Sequence, residues 1–179
     1  MSYNFWFKLV IKKENKDKLI NYINDNGSMN DIGYIGRFEF DKYILDYLKS
    51  YHSDEEIQKQ IKIHKKASIG YIFYNEHVEE DNPDTIGISF MAATRYMSEL
   101  FRESESIYKW FIELSNVTSS LLAYIDFEHL GYRIIFHKGK EVNVQISYNE
   151  KEYSCSGVEQ FCDIIDNFHK LANIYFNGQ

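Results

Sequence analysis

Proline is nearly absent from this chain, and cysteine is scarce. Pro83 is the single proline among 179 residues, so few positions force a helix or strand to end. Cys155 and Cys162 are too few for the disulfide framework of a small secreted domain, and we expect two reduced thiols. His169 continues their seven-residue spacing, but Cys155 precedes the last predicted helix. Because a zinc site needs three or four converging ligands, we predict no metal site there.

Long apolar runs are missing as well. Uncharged stretches such as residues 85–94 are far shorter than the roughly 20 apolar residues that span a bilayer. The N-terminus places its charges after its apolar run, whereas a secretory signal places them before it. We therefore expect no transmembrane helix, no membrane partner and a cytoplasmic location.

The sequence has no recognisable catalytic or cofactor motif and little positive charge. The patterns Gly-x-Ser-x-Gly, Gly-x-x-x-x-Gly-Lys and Gly-x-Gly-x-x-Gly do not occur, so we expect no catalytic residue and no cofactor. Lys and Arg number 20 against 27 Asp and Glu, a net charge of −7. Such a surface repels phosphate backbones, which argues against a nucleic-acid partner and favours a basic protein.

Aromatic residues are abundant: 15 Tyr, 13 Phe and 2 Trp. Rings of this size fill a core, and the length suits one domain over 1–179, with a possible division into 1–66 and 67–179. We expect Met97, Leu100, Phe101, Trp110 and Phe111 to lie in that core. Any ring left exposed would mark a partner site, because aromatic side chains are enriched at the centres of interfaces.

Hydrophobic periodicity predicts an α+β fold rather than a doubly wound sheet. Residues 3–12 alternate, with Phe5, Phe7, Leu9 and Ile11 on one face. The first two thirds of the chain are predicted to contain helices at 16–25, 42–51 and 53–66 and a glycine cap at Asn26-Gly27. Asp41 is the expected N-cap of the second helix, and Ser53 with Glu56 the expected capping box of the third. A loop over 27–36, an edge strand at 37–40, and strands at 68–78 and 85–91 joined by a hairpin loop are also predicted.

The remaining third continues this pattern. A stripe from Ala93 to Leu114 predicts one helix of roughly 24 residues, kinked near Ser104. Three antiparallel strands follow at 121–128, 132–137 and 142–148, and a last helix at 158–176. We expect this C-terminal meander to pack against the long central helix and the C-terminal helix.

Two polar surfaces are candidate sites. The first is the acidic hairpin, whose carboxylates lie at Glu76, Glu79, Glu80, Asp81 and Asp84. Pro83 stands where a calcium loop would need glycine, so a solvated loop or a contact for a basic partner is expected instead.

The second candidate is the outer face of the C-terminal sheet, with Tyr124, Asp126, Glu128, Arg133 and His137. These side chains are expected either to form cross-strand ion pairs, to bind a partner, or to perform acid–base catalysis. A further histidine, His64, lies on the apolar face of its helix, where a half-buried structural role is expected.

In general character the chain resembles the immunity proteins that protect bacteria from toxins, many of which are acidic α+β domains that block a basic effector. The resemblance implies an inhibitor that binds a basic protein, with Glu79, Glu80, Asp81 and Asp84 meeting a basic cleft. Two alternatives stay open. One is an enzyme that uses Asp126, Glu128 and His137; the other is a small-molecule sensor or assembly subunit, monomeric or homodimeric through the last helix.

Overall fold

A single antiparallel sheet forms the framework of the chain. The computed structural model describes residues 4–78 and 82–147. Its helices are α1 (Lys16–Asp25), α2 (Lys42–Lys49), α3 (Asp54–His64), α4 (Arg95–Glu103) and α5 (Glu105–Val117). Its strands are β1 (Trp6–Lys12), β2 (Gly27–Met29), β3 (Tyr34–Phe38), β4 (Ala67–Ser68), β5 (Ile72–Val78), β6 (Thr85–Ala92), β7 (Leu122–Asp126), β8 (Gly131–His137) and β9 (Lys140–Ser147).

The strand order across the sheet is β2-β3-β5-β6-β1-β7-β8-β9, and β4 pairs with β3. Strand β1 lies between β6 and β7, where Phe7 stands opposite Phe90 on one side and Ile125 on the other. All these neighbours are antiparallel. The predicted α+β class is confirmed.

An aromatic core joins the helices to one face of the sheet. The ring of Phe7 stacks on Phe111 of α5, with centroids 4.1 Å apart. Trp110, on the same helix, lies 5.3 Å from Phe90 and 5.8 Å from Tyr34. All five residues are buried, and each such ring pair contributes roughly 0.5–1.5 kcal/mol beyond its buried area.

The predicted long helix is two helices. At Ser104 the backbone leaves the helical region, with φ −75° and ψ 119°, so α4 ends and α5 begins there. The Ser104 hydroxyl accepts from the amide of Ile107 at 3.2 Å and donates to the Asp41 carboxylate at 2.6 Å. The continuous apolar stripe concealed this break, because both helices present the same stripe to one core.

The predicted loop over 27–36 contains strand β2 and the first three residues of β3. Gly27 does not adopt a left-handed cap but lies in β2, where a Cβ atom would stand 2.3 Å from the carbonyl oxygen of Ile35. Glycine is therefore required at position 27 because the backbone of the paired strand β3 approaches closely, and not because the chain turns there. The predicted edge strand at 37–40 is also wrong, since β3 ends at Phe38 and lies between β2 and β5.

Irregular strand pairing interrupts the alternation of side chains between two faces that was predicted for the C-terminal sheet. The register shifts between Ala123 and Tyr124 on β7 and again between Ile134 and Phe136 on β8. Residues 134–137 are all buried. His137 stands opposite Leu122 on the face away from the helices, where it was expected, but its side chain is buried rather than exposed. Arg133 faces the helices, with its guanidinium carbon 4.1 Å from the Tyr108 ring centroid on α5.

The helix caps follow the sequence closely. The bounds of α1 agree with prediction, Asp41 caps α2 by accepting from the amide of Ile44, and Ser53 and Glu56 form the expected capping box of α3. His64, expected to be half-buried, is exposed at the end of α3.

The predicted helix at 158–176 falls outside the described residues. Among the helices that are described, none is long and apolar enough to cross a membrane.

Asp41 fastens the start of α2 to the junction of α4 and α5. Its Oδ2 accepts from the Ser104 hydroxyl at 2.6 Å and from the amide and hydroxyl of Ser106, both at 3.1 Å, while Oδ1 accepts from the amide of Ile44. Burial raises the pKa of this carboxyl, but the hydrogen bonds from Ser104, Ile44 and Ser106 together lower it below its ordinary value.

We expect Asp41→Asn to lower the free energy of unfolding by about 1–3 kcal/mol at neutral pH, because one amide cannot accept all these hydrogen bonds. A pKa depressed in the folded state adds stability above the ordinary pKa, and this is lost as pH falls through the folded-state value. Urea unfolding should therefore show the difference from wild type shrinking in strong acid. Asp46→Asn, the same charge change at an exposed site of α2, is the control; equal losses in both variants would contradict the assignment.

Candidate functional site

The acidic hairpin is only partly available to a partner. Antiparallel pairing of β5 with β6 confirms the hairpin, and Asp84 is exposed beside it. Glu76, in contrast, accepts from Lys16 Nζ and from the Tyr74 hydroxyl, each at 2.8 Å. The Lys16 hydrogen bond is the main cause that lowers the pKa of Glu76, against an opposing effect of burial. Glu79, Glu80 and Asp81 lie outside the described residues.

The carboxylates of the C-terminal sheet are occupied by contacts within the chain. Asp126 Oδ2 is 2.9 Å from Lys8 Nζ, and Asp126 Oδ1 accepts from the amide of Glu128. Glu128 in turn accepts from the amide of Asn4 at 3.0 Å. The same Lys8 ammonium lies 5.9 Å from the ring centroid of Tyr124. These partner-site candidates therefore form one internal ion-pair and cation–π group.

The residues proposed for acid–base chemistry do not converge. His137 stands opposite Leu122 at the start of β7, whereas Asp126 is at the other end of that strand, roughly 13 Å away. Arg133 lies on the helix-covered face. A different pair, Ser89 and His77, does meet at 3.0 Å between Oγ and Nε2. Ser89 is fully buried, so this contact fastens β5 to β6 rather than offering an accessible nucleophile.

Other kinds of site were sought in the described part of the chain. Within residues 4–78 and 82–147, no group of three His, Cys, Asp or Glu residues could hold a metal ion. A cavity of about 40 Å³ beside Arg37, Lys109 and Trp110 has room for little more than water. A shallow cleft of about 410 Å³ lies beside Lys13 and Asp84. Comparisons with protein-family models, curated proteins and solved structures found no match.

Three tyrosines, two exposed and one half-buried, cluster where α2 meets α4. Tyr47 lies on α2, Tyr51 just after it, and Tyr96 in the first turn of α4. Ring centroids are 5.0 Å apart for Tyr47 and Tyr51 and 6.4 Å apart for Tyr51 and Tyr96. Tyr51 is 53% exposed and Tyr96 63% exposed. We call these three residues the tyrosine surface.

Helical spacing explains why these rings point outward. Ile44 and Leu48 of α2 are buried in the core, as is Met97 of α4, so their neighbours Tyr47 and Tyr96 fall on the flanks of the buried stripes. Burial of Tyr47, with a smaller effect from Tyr51, raises its pKa. Its hydroxyl therefore stays protonated at neutral pH and keeps its capacity to donate a hydrogen bond.

Acidic residues border the tyrosine surface. Asp54 and Glu55 begin α3 three and four residues after Tyr51, and both are exposed. Glu56 belongs to the same turn, but its carboxylate accepts from the amide of Ser53 in the capping box. The positive end of the helix dipole lies at this first turn, where acidic residues are favoured.

The sequence contained the signal for this surface. Tyr47 and Tyr51 are four residues apart within the predicted helix at 42–51, a spacing that would place both rings on one side of that helix. The expected core residues Met97, Leu100, Phe101, Trp110 and Phe111 are all buried, so the rings left exposed are different ones.

If the tyrosine surface does not support the fold, its outer rings can be removed at little cost. We expect Tyr51→Ala and Tyr96→Ala each to change the free energy of unfolding by no more than about 0.5 kcal/mol, as for other exposed positions. Trp110→Ala, in the core, should cost about 3–5 kcal/mol. Urea unfolding monitored by circular dichroism measures all three. A loss near the Trp110 value at either tyrosine would show that the ring is structural.

Proposed function

We propose that this protein is a cytoplasmic inhibitor of the immunity type, which neutralises a basic toxin or effector by binding it directly. The observation that supports this most is the tyrosine surface beside Asp54 and Glu55. Tyrosine is enriched among the residues that dominate binding energy, because a large rigid ring is buried at small entropic cost. Carboxylates beside such rings complement a basic partner.

The tyrosine surface is a better anchor than either surface predicted from the sequence. Asp126 and Glu128 already have partners within the chain, and breaking those contacts would offset part of any binding energy. Binding through the tyrosine rings does not require such contacts within the chain to be broken. Tyr51 and Tyr96 expose more than half of their surface to solvent, and covering that area releases ordered water.

The acidic hairpin and the tyrosine surface lie at opposite ends of β6. Asp84 precedes this strand of 8 residues and Tyr96 follows it, which separates the two by roughly 26 Å. An interface of standard size covers roughly 800 Å² on each partner, a patch of about 16 Å radius. One patch centred on the tyrosine surface therefore ends before the hairpin. We assign anchoring to the tyrosines and retain Glu79, Glu80, Asp81 and Asp84 as a second, separately tested contact.

The two parts of the proposed site have different kinetic roles. Asp54 and Glu55 attract a basic partner and raise the association rate, an effect that salt screens. The tyrosines are buried only in the complex and set the dissociation rate. Inhibition follows if the covered patch of the partner contains its active cleft, which is the basic region of a nuclease-type effector.

The binding experiment begins with the wild-type protein as bait in its native cells, followed by purification of the captured partner. We expect Tyr51→Ala with Tyr96→Ala to raise the dissociation rate at least roughly tenfold, since each hot-spot ring contributes over 1 kcal/mol. Asp54→Lys with Glu55→Lys should slow association at low salt and lose that effect at high salt. Surface plasmon resonance measures both rates.

Matched variants distinguish the possible outcomes. Glu14→Lys with Asp17→Lys makes the same charge change near the start of α1 and should alter association less than the α3 pair. Asp84→Lys tests the hairpin: a large effect there, with none at the tyrosines, would transfer the contact to the hairpin. Recovery of no stable protein partner would reject the proposed function. A neighbouring toxin gene would support it independently.

A further inference from the structure

A small cavity lies where four segments of the chain meet. Strand β4 pairs with β3, so Ala67 stands opposite Phe38, and Lys66, which precedes β4, lies beside the end of β3. The amide of Arg37 donates to the carbonyl oxygen of Asn26 at 2.8 Å, which brings the end of α1 to the same place. Helix α5 closes the remaining side. We call this space of about 40 Å³ the β3–α5 cavity.

Trp110 of α5 brings a hydrogen-bond donor to this cavity. The residue lines the cavity and is 4% exposed, and its buried indole Nε1 has no hydrogen-bond partner in the described parts of the chain. The rings of Tyr34, Phe38 and Phe90 pack around the indole. An indole N–H donates and never accepts, and a buried donor without a partner destabilises the fold. A partner for this group therefore has to be an acceptor, and the β3–α5 cavity is the space in which it fits.

The walls of the β3–α5 cavity carry more positive than negative charge. Three cations line it, Arg37, Lys66 and Lys109, against two carboxylates, Glu39 and Glu113. Both carboxylates lie near Lys109 Nζ, at 3.5 Å and 3.9 Å. Within residues 4–78 and 82–147, neither Arg37 nor Lys66 forms an ion pair, although both side chains are half-buried. Guanidinium and ammonium groups donate only, so the cavity has an excess of donors and of positive charge.

We propose that the β3–α5 cavity binds one small anion, a halide ion or an oxyanion of formate size, which accepts from Trp110 Nε1 and is neutralised by Arg37 and Lys66. Water fits the same volume, but it brings no charge to offset the two cations. An anion offers lone pairs to all three donors, and hydrogen bonds to a charged acceptor are the stronger ones. This inference does not depend on the proposed function, because none of its residues belongs to the tyrosine surface or to the acidic hairpin.

Nuclear magnetic resonance of the full-length chain tests the anion site directly. Trp6 and Trp110 are the two tryptophans of the sequence, so nitrogen-15 labelling gives two indole N–H signals, which Trp6→Phe assigns. Sodium chloride and sodium formate are titrated separately into chloride-free buffer. We expect at least one of the two salts to move the Trp110 signal downfield to a plateau, while the Trp6 signal drifts without saturating. The salt that saturates at the lower concentration identifies the preferred anion. No plateau with either salt, or the same response at both indoles, would overturn the proposal.

Charge-removing variants identify the residues that hold the anion. We expect Arg37→Gln and Lys66→Gln each to raise the apparent dissociation constant roughly threefold to tenfold, because each removes one half-buried cation from the cavity. Lys18→Gln removes the same charge from an exposed site in the first turn of α1 and should leave the constant unchanged. Circular dichroism checks the fold of each variant, and Lys66→Gln serves alone if Arg37→Gln does not fold. Wild-type affinity in every folded cavity variant, or an equal loss in Lys18→Gln, would show that these cations hold no anion.

Discussion

The central position of β1 is the constraint on which the other layers depend. Because side chains alternate along a strand, Phe7, Leu9 and Ile11 face the helices while Lys8 and Val10 face away. A one-residue slip would exchange these two sets and bury the Lys8 ammonium among aromatic rings. Pairing with β6 on one side and β7 on the other holds the register, and the stacked rings of Phe7 and Phe111 reinforce it.

Local chemistry was sufficient to predict much of the fold. The first strand, the bounds of α1, the Asp41 cap and the Ser53 capping box are decided by residues within one or two turns of each other. Their patterns are therefore visible in the sequence. The same holds for the aromatic core, because large apolar side chains in periodic stripes have few other places to go.

Long-range contacts decided the features that the sequence did not reveal. Gly27 joins a strand because a neighbouring backbone comes close to it, and Ser104 ends a helix with the help of Asp41, which is distant in sequence. The bulges that interrupt the alternation of β7 and β8 arise from pairing between strands. For the site, charge density favoured the hairpin and the C-terminal sheet. Whether a carboxylate is free or already paired, however, depends on the partner that folding brings beside it.

The Asp41 contacts have a consequence for recognition. They join the start of α2 to the end of α4, the two helices that present Tyr47 and Tyr96. If the tyrosine surface binds a partner as proposed, a fixed arrangement of these two helices in the free protein reduces the conformational freedom lost on binding. A carboxylate with no direct role in contact would thus govern affinity through preorganisation, and substitutions at this junction would weaken binding even with every tyrosine in place.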